Sequence, residues 1–247
     1  MQSFQGFQPE AFRFFRRLAR NNHKPWFDRH RPLYDQHVAG ALRALFEELA
    51  PAMLALFPHF DVAGTTGRNF TRINRDIRFA RDKSPYKRNL YLYFAAREQR
   101  RAGRSRASQR GNRLYLGLSA DGITCGLALY DGRASALETV LKPRRARDPK
   151  RVDLLLRKLG RRYQVYWHGR ERGAWKKYPG PPRTEKDWKR CRALVLRKHF
   201  PPARRELRSP RFARQVEKIF RALFPLYAFS TVEGRAGEKA LRQAGRI

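Results

Sequence analysis

The apolar residues of this chain change their spacing once, and that change restricts the folds open to it. Ahead of Gly64-Thr65-Thr66-Gly67 they recur at helical intervals, and beyond it they alternate with polar residues. Phe7, Ala11, Phe14, Phe15 and Leu18 sit at i, i+4, i+7, i+8 and i+11, the stripe of an amphipathic helix over Pro9 to Arg20. Asn21-Asn22 suits a left-handed cap. Pro25 suits the first turn of a second helix carrying Trp26, Phe27, Tyr34, Val38, Leu42, Leu45, Phe46 and Leu49. Pro32 predicts a kink near its start and Pro51 a break near its end, with Met53, Leu54, Leu56 and Phe57 as a short apolar sequel.

Past the turn, Phe70-Thr71-Arg72-Ile73 is a short candidate strand and Leu90 to Phe94 a stronger one. Leu114–Leu118 and Ile123–Tyr130 flank Asp121-Gly122, the strongest hairpin signal present, and are expected to pair antiparallel. Gly117 and Gly126 inside them predict a bulge or a close backbone approach. Asp131-Gly132 ends this meander. Ala134 to Leu141 reads as a short helix, Lys142 to Arg147 as a basic linker, and Asp148-Pro149 as the cap and first residue of a helix through Leu159. Tyr163–Trp167 and Ala193–Leu196 read as strands, and Thr184 as the cap of a turn containing Trp188. Ser209-Pro210 opens a last helix that Pro225 closes. The expectation is a single α+β domain over residues 1–230, with N-terminal helices packed on a mostly antiparallel sheet and further helices in the C-terminal half. A basic hairpin loop at 97–113 and a frayed tail at 231–247 complete it.

Charge narrows the partners. Fifty-six Lys and Arg against 21 Asp and Glu give +35, more than solubility needs, and self-repulsion on that scale destabilises a compact state unless polyanions offset it. Seven arginines face Glu98 alone between Arg97 and Arg113, and Lys142–Arg172 and Lys176–Arg221 are also strongly basic. Tyr163, Tyr166, Trp167, Trp175, Tyr178 and Trp188 are interleaved with these cations, the mixture used on RNA and single strands. Nucleic acid, RNA or a ribonucleoprotein ahead of DNA, is therefore the expected partner. Arg100, Arg101, Arg104, Arg106, Arg110, Arg144, Arg145 and Arg147 are the candidate contacts. Helix-turn-helix, RRM and KH signatures are absent, so strong sequence specificity is not expected. An anionic membrane surface is a lesser alternative, and a generally basic proteome would give the same charge without a function. No apolar run approaches the roughly 18 residues of a membrane span, and no leader pattern opens the chain, so a cytoplasmic location is expected.

Cys125 and Cys191 lie far apart without CxxC spacing and are expected to be buried thiols. His23, His30 and His37 recur every seven residues, about 10.5 Å apart along a helix axis, too far for one metal with ligands at about 2 Å. GxSxG, HExxH, Walker and GxGxxG signatures are all absent, so no metal and no cofactor is expected, and whether the protein is an enzyme stays open.

The densest chemistry runs from Asn69 to Lys87. Arg72, Arg75, Arg78, Lys83, Ser84 and Lys87 are candidates to converge on a phosphate or carboxylate, with Asp76 and Asp82 orienting them. Three readings stand side by side here. One is an internal salt-bridge network that fixes the loop. Another is an anion site for a phosphorylated or carboxylated metabolite, and the third is metal or acid–base chemistry through the two aspartates. Arg75-Asp76-Ile77-Arg78-Phe79 and Asp82-Lys83-Ser84-Pro85-Tyr86-Lys87 resemble the hallmark of the uncharacterised family catalogued as domain of unknown function 2461. Asn21-Asn22-His23-Lys24-Pro25-Trp26-Phe27, Tyr178-Pro179-Gly180 and Ser209-Pro210-Arg211-Phe212 are similar to its other signatures. Ala80 and Arg81 stand where the family usually has a polar residue and a lysine. The resemblance implies an α+β domain over roughly residues 4 to 230 and carries no reaction or cofactor with it.

Overall fold

The helical half begins where the spacing places it. α1 spans Pro9–Arg20 and buries Ala11, Phe12, Phe14, Phe15 and Leu18. α2 spans Lys24–Leu33, and His23 caps it by accepting a hydrogen bond from the Trp26 amide (3.4 Å). Directly after Pro32 the winding widens into a π-helical stretch, Tyr34–Gly40, before α3 spans Ala41–Leu56. The break expected at Pro51 does not occur. Leu49 and Met53 on either side are buried while Pro51 is exposed, so the apolar face continues and only one backbone donor is lost.

The computed structural model describes residues 3–97, 111–130 and 137–232. Asp131-Gly132, residues 134–136, most of the basic hairpin loop and the tail beyond 232 lie outside these. Six strands form one sheet, β1 (Asn89–Phe94), β2 (Arg113–Ser119), β3 (Gly122–Tyr130), β4 (Gln164–Glu171), β5 (Ala174–Pro179) and β6 (Ala193–Phe200). Their order is β1-β2-β3-β6-β4-β5. With α4 (Lys142–Arg147), α5 (Pro149–Gly160), α6 (Glu185–Arg190) and α7 (Phe212–Thr231), the fold is α+β.

Local chemistry explains most of these elements. Asp148 caps α5 by accepting from the Arg151 amide (3.2 Å), and Thr184 and Asp187 form a reciprocal capping box on α6. Asn21 closes α1 with φ −135° rather than in the left-handed conformation, and further expectations need correction. Residues 142–147 are a helix rather than a linker, because Leu137–Leu141 already winds into them and Arg145 faces inward. Phe70–Ile73 makes only isolated bridges, Phe70 with Thr66 and Leu92 and, further on, Asn74 with Tyr86. β5 is an addition to the expected strands, since it is almost wholly exposed and shows no alternation. α7 runs through Pro225, held by buried Leu223, Leu226 and Tyr227.

The chain divides into two compact units. The first comprises Met1–Phe94, Tyr115–Cys125 and His199–Lys218, the second Ala95–Leu114, Gly126–Lys198 and Ile219–Ile247. The core of the first is aromatic. Phe46 stacks on Phe94 (4.7 Å, 7°) and meets Phe70 edge-on (5.1 Å), and such pairs are each worth about 0.5–1.5 kcal/mol beyond area burial. In the second, Tyr227 Oη accepts from the Ala96 amide (2.8 Å) and Asn112 Nδ2 donates to the Ser230 carbonyl (3.0 Å). Close backbone approach explains Gly126, where a Cβ would lie 2.0 Å from the Leu196 carbonyl oxygen. Cys125 and Cys191 are free and buried.

Candidate functional site

The motif loop belongs to the first unit, and its base is closed by one side chain. Asn69 is fully buried, and its Nδ2 donates to the carbonyls of Asp61 (2.6 Å) and Tyr93 (3.2 Å). The outgoing and returning limbs are zipped together around the Asn74–Tyr86 bridge. Arg75 N donates to the Pro85 carbonyl (2.8 Å) and Lys87 N to the Ile73 carbonyl (2.8 Å). The N-terminal signature then clasps the returning limb. Asn22 Nδ2 donates to the Tyr86 carbonyl (2.9 Å) and Asn22 Oδ1 accepts from the Tyr86 amide (3.0 Å), so a side-chain amide acts as a strand neighbour. Phe27 stacks on the Tyr86 ring (4.1 Å, 18°).

Most charges of the loop are turned on the loop itself. Arg75 pairs with Asp82, whose Oδ1 also accepts from the Ser84 hydroxyl (2.5 Å) and amide (2.9 Å). Those Ser84 bonds, followed by the one from Arg75, hold the Asp82 carboxyl well below the usual carboxylate range. Arg78 forks onto Asp76 through Nε (2.9 Å) and Nη2 (3.0 Å), and Lys83 Nζ donates to the Ile77 carbonyl (3.1 Å). Arg75, Arg78, Lys83 and Ser84 are thus engaged within the loop. Arg72 and Lys87 differ. Lys87 is half-buried with Nζ on the Arg72 carbonyl (2.8 Å), and burial, then the charges of Arg72 and Arg75, lower its pKa. No acid partners the Arg72 guanidinium among the described residues.

The second unit carries a different surface, on β4, β5 and β6. Residues directly opposite in an antiparallel pair project to the same side. The registers Tyr166↔Pro179, His168↔Lys177, Arg170↔Trp175, Gln164↔Arg197 and Tyr166↔Val195 therefore define one face. None of the residues so placed is an aspartate or glutamate. Lys177 Nζ lies 4.1 Å from the Tyr166 ring centre and the Arg197 guanidinium 5.1 Å from it. Arg170 covers Trp175 at 5.5 Å, and His168 meets Trp175 edge-on at 6.1 Å. Burial, then Lys177, lowers the His168 pKa. Trp175 is 48 % exposed. The opposite face carries a carboxylate of its own. Glu171 receives Lys176 (2.8 Å), Tyr178 Oη and Arg190, which bring its carboxyl down to about 2, with Lys176 foremost.

A family model described as a conserved hypothetical protein, DUF2461, matches residues 10–229. The chain belongs to the DUF2461 family. No curated protein matches it closely enough to count as a relative. The two stretches that carry the family resemblance, one around Asn22–Phe27 and one around Arg75–Lys87, are those joined at Tyr86.

The arginines singled out in this DUF2461 chain have varied placements. Arg100, Arg101, Arg104, Arg106 and Arg110 lie outside the described residues. Arg145 is 5 % exposed, pairs with Glu185 and Asp153 and lies 5.2 Å from the Trp188 ring, so its charge is taken up inside the second unit. Arg144 donates to the Phe229 carbonyl, whereas Arg147 is exposed. The sequence singles out Trp175 and Tyr166 as interleaved aromatics but not Arg170, Lys177, Arg197 or His168. Their signal is the period-two spacing of Tyr166, His168 and Arg170, which acquires meaning only beside the partner strand. Among the described residues no group of three or more His, Cys, Asp or Glu is placed to hold a metal ion, and no helix is long and apolar enough to cross a membrane.

Proposed function

We propose that this protein binds nucleic acid, single-stranded RNA foremost, through the acid-free face of β4, β5 and β6. The observation that carries the reading is the half-exposed Trp175 beside Arg170 and His168, with Lys177 and Arg197 around Tyr166 further along the same face and no aspartate or glutamate among the strand residues that form it. Bases stack on such rings in any sequence, and the cations meet the phosphates. Trp26, Trp167 and Trp188 are buried, which makes Trp175 its own reporter. Adding an oligouridylate at low salt is expected to quench tryptophan emission, and Trp175→Ala to abolish the quench. Lys177→Gln should flatten the dependence of log affinity on log salt by about 0.7, the share of one phosphate on a single strand. Absence of binding at low salt, or binding untouched by both substitutions, would overturn the reading.

Lys87 and Arg72 favour a second, smaller reading, a site for a small anion. Cations brought together with burial raise their own free energy unless an anion joins them, and among the described residues Arg75 has an acid partner while Arg72, which also acts on Lys87, has none. Inorganic phosphate or a phosphorylated metabolite should then raise the melting temperature, and Lys87→Gln should remove the increment while Lys177→Gln leaves it. Equal stabilisation of both variants would refute it.

A further inference from the structure

Phe79 is 95 % exposed, the most exposed large apolar side chain among the described residues. Ala80 N donates to the Ile77 carbonyl (3.3 Å), which closes a turn with Arg78 and Phe79 at its corners. The engaged charges of the loop brace this turn. Arg78, forked by Asp76, stands 6.0 Å from the Phe79 ring centre. Lys83 secures the carbonyl of Ile77, and Asp82 fixes the returning limb through Ser84 and Arg75. Water offers a phenyl ring nothing in return for such bracing, so the turn displays the ring to a partner.

The surroundings say which partner. Residues 68–88 hold eight Lys and Arg against two acids, six of the eight being arginine. Arg81, next along the chain from Ala80, is exposed and has no acidic partner among the described residues. A planar apolar ring beside uncompensated arginine matches an unpaired base and its phosphate. A lipid surface is favoured instead by a broad apolar face, and here a single ring is flanked only by the partly covered Ile77. We propose that the Ile77–Ala80 turn is a base-stacking finger, Phe79 stacking on an unpaired base and Arg81 contacting the adjoining phosphate. The finger rests on the nucleic-acid reading above and adds a contact from a different unit of the chain.

The test is fluorescence anisotropy of a labelled oligouridylate and of an abasic strand of equal length, with the full chain. Phe79→Ala should weaken binding to the oligouridylate about 5- to 150-fold while leaving its salt slope unchanged, and should leave the abasic strand within about twofold of wild type. Arg81→Gln should instead flatten the salt slope by about 0.7. An unchanged melting temperature for Phe79→Ala, expected from the exposure of the ring, controls for folding. Wild-type affinity for Phe79→Ala, alongside weakened binding by Trp175→Ala, would remove the finger and leave the wider reading standing. Failure of the wild-type protein to bind either strand at low salt would remove both. Loss of binding to phosphatidylglycerol vesicles by Phe79→Ala, with oligonucleotide affinity intact, would overturn the finger in favour of a membrane tip.

Discussion

Asn22 performs with one amide what a neighbouring strand does with its backbone, offering Tyr86 both a donor and an acceptor across a sequence separation of 64 residues. Asn22→Ala leaves both Tyr86 groups short of a partner in a part-buried setting. A loss of about 2–4 kcal/mol is expected, read from urea denaturation with an unchanged m-value. Asn22→Asp keeps the acceptor and loses the donor, and should cost less than the alanine. Gly126→Ala should be more damaging still. Its Cβ would fall 2.0 Å from the Leu196 carbonyl, and backbone of a paired strand cannot retreat as a side-chain tip can, so about 3 kcal/mol or more is expected in the same measurement. At this scale the sequence is legible in identity but not in pairing. Asn22 and Tyr86 each stand in a recognisable motif, yet nothing local indicates that one holds the other. Asp76 and Asp82 are readable as partners of the loop cations, and only the geometry distinguishes bracing cations from Arg72 and Lys87.

Among the elements, β4 carries a pH-sensitive group on the proposed binding face. Burial and the Lys177 ammonium hold the His168 imidazole below its usual range, with Arg170, Tyr166 and Trp175 as its other neighbours on that face. In the unfolded chain it protonates near about 6.5, before the folded form does. Its contribution to stability is therefore complete above that pH and is lost as pH falls towards the folded value, a loss that His168→Gln should abolish. A phosphate on the same face opposes Lys177 and raises the imidazole pKa, so binding takes up a proton. Oligouridylate affinity should be higher at about pH 6 than at about pH 7.5, with the difference shrinking in His168→Gln. Elements with a strong period are legible from residue spacing alone. α1 occupies Pro9–Arg20 as its stripe requires, and Asp121-Gly122 joins β2 to β3. β5 is hidden because its residues are exposed on both sides, which leaves no alternation to read. Pro51 and Pro225 mislead for the opposite reason. Each is a local breaker inside a helix whose buried face continues past it, and packing outweighs one missing donor.

For the whole molecule the question is whether +35 is a property to be endured or one that is used. The aspartates and glutamates are not spread evenly among the cations. Glu171 pairs with two cations on one side of the β4–β5 hairpin and Asp76 and Asp82 brace one loop, while the strand residues on the Trp175 side include none. Such segregation gives a testable asymmetry between screening and binding. Added salt screens repulsion between all cations alike, so without polyanion the melting temperature should rise gradually with ionic strength. RNA at about 100-fold its Kd should add about 2.7 kcal/mol at low salt, a rise of roughly 5–10 °C for a chain of this size, and that increment should vanish as salt is raised. Inorganic polyphosphate separates the two parts of the mechanism, because it supplies phosphates without bases. If it stabilises the protein less than RNA does at equal phosphate, and Trp175→Ala brings RNA down to the polyphosphate level, stacking and charge both contribute. If polyphosphate, RNA and simple salt of matched ionic strength act alike, the charge is background and the acid-free face binds nothing.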